Sequence, residues 1–148
     1  MTGRAALAGG LALVTGLTLA GCSSGSTPEL KVVGAFMPQP VSDIAAAFLV
    51  VENKGGATDR LTSVTSSISD HVTIHETTGQ AMRMVSSFEV PAGGELDLER
   101  GGSHIMFSEL KRQPKRGQRI SVELHFEKTG PITVELPVEE TTYNPAKQ

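Results

Sequence analysis

The chain has 148 residues, 13 basic against 16 acidic, for a net charge of −3. That is enough for one domain, and its acidic balance gives no electrostatic case for binding nucleic acid. A single cysteine excludes an internal disulfide framework, and with no Trp and one Tyr the core must come from Val, Ile, Leu, Ala and five Phe.

At the N-terminus, "MTGR" carries one positive charge, Arg4, and "AALAGGLALVTGLTLA" follows. This apolar run is too short and too interrupted by glycine for a membrane-spanning helix, but it fits the apolar region of an export signal. It ends in "LAGC", Leu19 to Cys22, which looks like a bacterial lipobox; Cys22 would then be lipidated and begin the mature chain. "SSGSTP" reads as a flexible tether. The alternative is an ordinary secretory signal with a chance cysteine. The expected organisation is a signal peptide over 1–21, a tether over 22–29, one domain over 30–140 and a tail over 141–148. Removing Arg4 leaves 12 basic against 16 acidic residues over 127, a net charge of −4. An acylated Cys22 offers no thiol to a metal. The expected location is outside the cell, anchored by lipid to the outer face of the cytoplasmic membrane.

Almost everything after Leu30 reads as strand. "LKVVGAF" comes first, then "AAAFLVVEN". The alanines of "DIAAAFLV" would suit a helix, but its β-branched end runs straight into "ENKGG", which favours a strand. "DRLTSVTS", "HVTIHET", "MRMVSSFEV", "ELDL" and "HIMFSEL" follow, with Gly and Pro between them. "ISVELHF" alternates, Ile120, Val122, Leu124 and Phe126 on one face, and "ITVELPV" repeats the pattern after the turn "EKTGP". About nine short strands with regular turns predict an all-β antiparallel sandwich or Greek-key barrel. The cluster "KRQPKRGQR" (111–119) is either a solvated loop or a patch for an acidic partner.

Histidine and methionine carry the chemistry. In "HVTIHET" the pair Val72 and Ile74 should face the core, which turns His75 away from it. If Gly79–Gln80 is a two-residue turn, glycine at its first position suits type II′, and opposed residues pair Thr77 with Met82 and His75 with Met84. Such partners have Cβ atoms roughly 4.5–5.5 Å apart, within reach of one ion. Met82, on the same face as Met84, is a reserve ligand or a collar residue. His71 lies roughly 13 Å along the strand from His75 and should not reach. In "SHIMF", His104 and Met106 share a face, with Cα atoms roughly 6.6 Å apart. Two imidazoles and two thioethers are soft, neutral donors, which favour Cu(I) over Zn²⁺, Mg²⁺ or Ca²⁺. Met37, His71 and His125 read as packing or solvated residues.

The sequence resembles the PCu(A)C family of periplasmic copper chaperones, in its lipoprotein form. The resemblance covers roughly residues 30–140 and rests on "AAAFLVVENKG", "DRL", "HE", "MRM", "VPAGGELDLERGGSHIM" and "LHFEKTGPITVELPV". It implies a cupredoxin-like fold and a metal set of His75, Met84, His104 and Met106. It also implies Cu(I) as cargo, with Cu(II) as a second state to test, and delivery to cytochrome c oxidase or to a second copper chaperone. The intervals here, eight residues between His75 and Met84 and nineteen from there to His104, are each shorter than the family's by an even number. Taking one residue from each arm of a hairpin keeps every side chain on its face. The tail "TTYNPAKQ" lacks the ligand-rich ending of some relatives.

Two other functions compete. A blue-copper electron carrier needs a Cys ligand, which the mature chain does not offer. A metal-free sandwich lipoprotein that binds another envelope protein would not need the four side chains to converge. With no Ser-His-Asp frame, phosphate loop or paired carboxylates, an enzyme is the least supported class.

Overall fold

The computed structural model describes residues 26–147; Cys22 and the expected signal peptide over 1–21 lie outside the described residues. Ten strands follow in chain order. They are β1 (Leu30–Pro38), β2 (Ala45–Asn53), β3 (Asp59–Ser66), β4 (His71–Thr78) and β5 (Ala81–Val85), then β6 (Phe88–Val90), β7 (Glu95–Leu98), β8 (His104–Ser108), β9 (Arg119–Phe126) and β10 (Gly130–Glu139). The only helical piece among the described residues is a short 3₁₀ turn, Pro145–Lys147. The alanine-rich β2 is a strand, as its β-branched end argued, with Ala45, Ala47, Leu49 and Val51 all buried.

Hydrogen-bonded neighbours run β5-β4-β8-β2-β1-β10-β9-β3-β6, and β7 also pairs with β2. β1 and β10 pair in parallel at Met37↔Val138 and Pro38↔Glu139. Every other pairing is antiparallel. β8 lies between β2 and β4, and β9 between β3 and β10, so the connections cross over in the Greek-key manner. The sheet folds back on itself as a sandwich. Ile74, Ile105 and Phe107 from one layer and Leu61, Leu124 and Leu136 from the other meet in one core. Met37 is fully buried there, as its packing role required.

One expected strand is two. "MRMVSSFEV" breaks at Ser86–Ser87: β5 stays with β4, whereas β6 crosses to the other layer and pairs with β3. Alternation says which face a residue takes but not which sheet its backbone joins. The end of the expected tether is also tied down. Thr27 O accepts from Gly56 N (3.1 Å), Glu29 O accepts from Lys54 N (2.9 Å), and Asn53 Oδ1 accepts from Glu29 N (3.1 Å). The backbones come so close that a Cβ on Gly55 would stand 2.2 Å from Thr27 O, so only glycine fits.

Part of the loop over 111–119 braces the fold. Lys111 pairs with Asp70 (2.7 Å) and Arg116 with Glu140 (2.5 Å), while Gly117 N donates to Val138 O.

Candidate metal centre

The face of β5, β4 and β8 that points away from the core carries the histidines and methionines. Ile74 and Ile105 point inward (4% and 0% exposed), so alternation sends His75, His104 and Met106 outward. The β4–β5 hairpin has the expected register, with His75 opposite Met84, Thr77 opposite Met82 and Thr78 opposite Ala81. Gly79 has φ of 63°, and Gln80 is not among the positive-φ residues, as a type II′ turn requires. On the other side of β4, His75 faces His104, and Thr73 faces Met106. Met84, His75 and His104 therefore form one cross-strand row over three adjacent strands. Met106 lies one step to one side of that row and Met82 one step to the other.

The two imidazoles stack, with ring centroids 5.5 Å apart and planes 8° from parallel. His104 donates its Nδ1–H to Gly102 O (3.1 Å), which leaves the Nε2 lone pair free to bind a metal. On the side away from His75, the His104 ring is 6.4 Å from Phe48, which is 5.3 Å from Phe36, itself 5.0 Å from Tyr143. His75 Nε2 shares a hydrogen with Thr73 Oγ1 (2.9 Å). Its Nδ1 is buried with no partner. Burial, and secondarily the neighbouring His104, lower the His75 pKa, so this imidazole is held neutral with a lone pair to give. A buried polar atom without a partner is costly, and an ion bound there would relieve the cost.

Among the described residues, no three His, Cys, Asp or Glu side chains group to hold an ion. The nearest carboxylate on β4, Glu76, is engaged by Arg83 through Nε (2.9 Å) and Nη2 (2.7 Å). The side chains that the register sets beside the two imidazoles are Met84, Met106 and Thr73, and thioether sulfur favours soft metals. Met84 and Met82 stand in solvent (65% and 52% exposed). His71 and His125 lie elsewhere: His71 is 3.3 Å from Glu109, and His125 contacts Thr65 (3.0 Å) and Glu123 (3.3 Å).

Sequence reasoning missed Thr73, Phe48 and the Gly102 carbonyl. Thr73 was legible in principle, since it sits two residues before His75 on the same face. Phe48 comes from β2, far along the chain from His104, and nothing in the sequence announces that contact.

This is an all-β cupredoxin-like fold of the PCuAC type. It matches the solved structure "apo PmoF2 PCuAC domain" with a TM-score of 0.69 at 22% identity, over 78% of this chain and 93% of that one. It matches "Solution structure of CuI-DR1885 from Deinococcus Radiodurans" with a TM-score of 0.66 at 26% identity, over 83% and 85%. The family model described as "Putative lipoprotein LpqE-like" matches residues 29–138. "Putative lipoprotein Lxx21020" of Leifsonia xyli subsp. xyli is 35% identical over 144 residues, covering 87% of this chain and 86% of that protein. The chain belongs to the LpqE-like family.

Proposed function

We propose that this protein is a copper chaperone that carries Cu(I) between His75, Met84, His104 and Met106, with Met82 as a reserve donor. The observation that carries this reading is the stacked pair His75–His104, one with a buried Nδ1 lacking a partner, with Met84 in register and Met106 one step to the side. The Deinococcus radiodurans relative is named for its Cu(I) form, and a second neighbour is titled "Copper-bound PCuAC domain from PmoF2". Neutral donors bind Cu(I) without a thiolate to displace, so the ion can leave by exchange with an acceptor's own soft ligands. The task is carriage, not catalysis. The acceptor is an envelope protein, with the copper centre of cytochrome c oxidase or a second chaperone as the specific proposals. Lipid on Cys22 anchors the chain at the outer face of the cytoplasmic membrane, in keeping with the lipoprotein names of the family and the relative.

The test is competition for Cu(I) between the reduced full chain and a chromophoric chelator. His75→Ala, His104→Ala, Met84→Leu and Met106→Leu should each weaken binding at least about tenfold, the lower end of what even outer-shell partners of a metal contribute. Met82→Leu should change it less than about threefold if its role is a reserve one. Wild type and the four variants competing equally would remove the site.

A further inference from the structure

The large apolar side chains exposed among the described residues are Val41 (82%), Ile44 (50%), Met82 (52%) and Met84 (65%). Three of the four, Val41, Ile44 and Met82, line one groove of about 470 Å³, with Phe48 and His104 also in its wall. Met84 lies one row away, opposite His75. Concentrated exposed apolar surface marks an interaction site rather than chance.

The groove is built in advance. On one wall, Gln39 N donates to Glu139 O (2.8 Å), and Gln39 Oε1 accepts from Arg116 N (2.7 Å). Thr141 Oγ1 donates to Gln39 O (3.0 Å), and Gln113 Nε2 donates to Ser42 O (2.9 Å). These bonds fix the loop that presents Val41 and Ile44, so a partner need not order it on binding. On the other wall, Arg100 donates from Nη1 to Tyr143 O (3.1 Å) and from Nη2 to Thr141 O (2.9 Å). Arg100 is the only Lys, Arg, Asp or Glu in the lining. It takes part in no ion pair among the described residues. Two of its five N–H groups are used, and the remainder can donate to a carboxylate.

We propose that this groove docks an apolar segment of the copper acceptor that carries a carboxylate, which Arg100 receives while the segment's own soft ligands meet His104 and Met82. The inference rests on the copper-carrier reading. A segment of protein fits better than a lipid surface, because the groove has a single cation next to the candidate ligands, not a basic face.

The probe is the blocked pentapeptide Met-Leu-Asp-Leu-Met, set against Met-Leu-Lys-Leu-Met, with the metal-free full chain observed by amide chemical shifts. The Asp peptide should bind about fivefold more tightly than the Lys peptide, as an exposed ion pair allows, and should shift residues 39–46 and 100–104. Arg100→Glu should reverse the preference. Ile44→Asp, at an exposed position, should weaken both peptides while leaving the Arg100 preference in place. Neither variant removes a candidate ligand, so both should keep the wild-type Cu(I) affinity. Equal affinity for the two peptides, shifts outside the groove, or shifts produced only by anionic lipid vesicles would each overturn the docking site. If Cu(I) binds and the peptide preference is absent, the groove alone fails. If the preference is present and Cu(I) does not bind, the copper reading alone fails.

Discussion

A metal carrier must keep its ligands neutral and aimed, yet willing to let go. His104 is aimed by its Nδ1–H bond to Gly102 O, a backbone group that no side-chain substitution removes. His75 depends instead on one side chain, the Thr73 hydroxyl, 2.9 Å from Nε2. Thr73 is also opposite Met106, so it stands between two candidate ligands without being one. Thr73→Val keeps the β-branched shape and deletes the hydroxyl. It should lower Cu(I) affinity about tenfold, the lower range for an outer-shell partner. Thr73→Ser should restore most of that affinity, because it keeps the oxygen. A purely packing role for Thr73 gives the opposite order, with Val better than Ser. Chelator competition on the two variants decides between them.

At the level of elements, the β4–β5 hairpin is the part that puts a methionine opposite a histidine. β5 is an edge strand with Ala81 to Met84 all exposed, so packing gives it little hold. Its register rests on the two-residue turn, and the turn rests on Gly79 at φ of 63°. No atom stands in the way of a Cβ there, so Gly79→Ala meets only backbone strain. Left-handed backbone costs a non-glycine residue about 1–2 kcal/mol, partly offset by the smaller unfolded-state entropy of alanine, for a net loss of about 1 kcal/mol. Amides of β4 and β5 should then exchange faster with solvent, while those of β9 stay unchanged. Uniform acceleration across the sandwich would show that the hairpin has no separate stability. The register was readable in advance because "TTGQ" names the turn and strand parity does the rest, and an interval shortened by an even number leaves His75 facing Met84. Where the chain goes after Val85 was not readable. With Val85 facing inward, Phe88 and Val90 fall out of step across Ser86 and Ser87, which marks a break, but only the folded chain shows β6 leaving for β3.

Over the whole molecule, the carrying face sits on one layer, and the other layer has to hold it. That supporting layer is itself tied together by a buried acid. Asp59, 1% exposed at the start of β3, accepts from Arg60 N (2.8 Å), Lys128 N (2.8 Å), Thr129 N (2.9 Å) and Thr129 Oγ1 (2.6 Å). It thereby ties β3 to the turn between β9 and β10, across 69 and 70 residues of chain, a distance that no sequence pattern encodes. Burial opposes the charge, but the bonds from Thr129, Lys128 and Arg60 together outweigh it and hold the pKa below the ordinary carboxylate value. A carboxylate whose pKa is lower in the folded state stabilises the fold above its unfolded value, about 3.9, and that stabilisation is lost as pH falls through the folded value. Asp59→Asn puts an amide NH₂ against donors, and should cost about 2–3 kcal/mol at pH 7 by leaving at least one buried N–H without an acceptor. Having no carboxylate to protonate, the variant should lose less stability than wild type between pH 5 and pH 2.5. Urea unfolding of both chains at the two pH values measures this. The gap between them should narrow in acid, and a gap of the same size at both ends would mean that the Asp59 charge does not hold β3 to the β9–β10 turn.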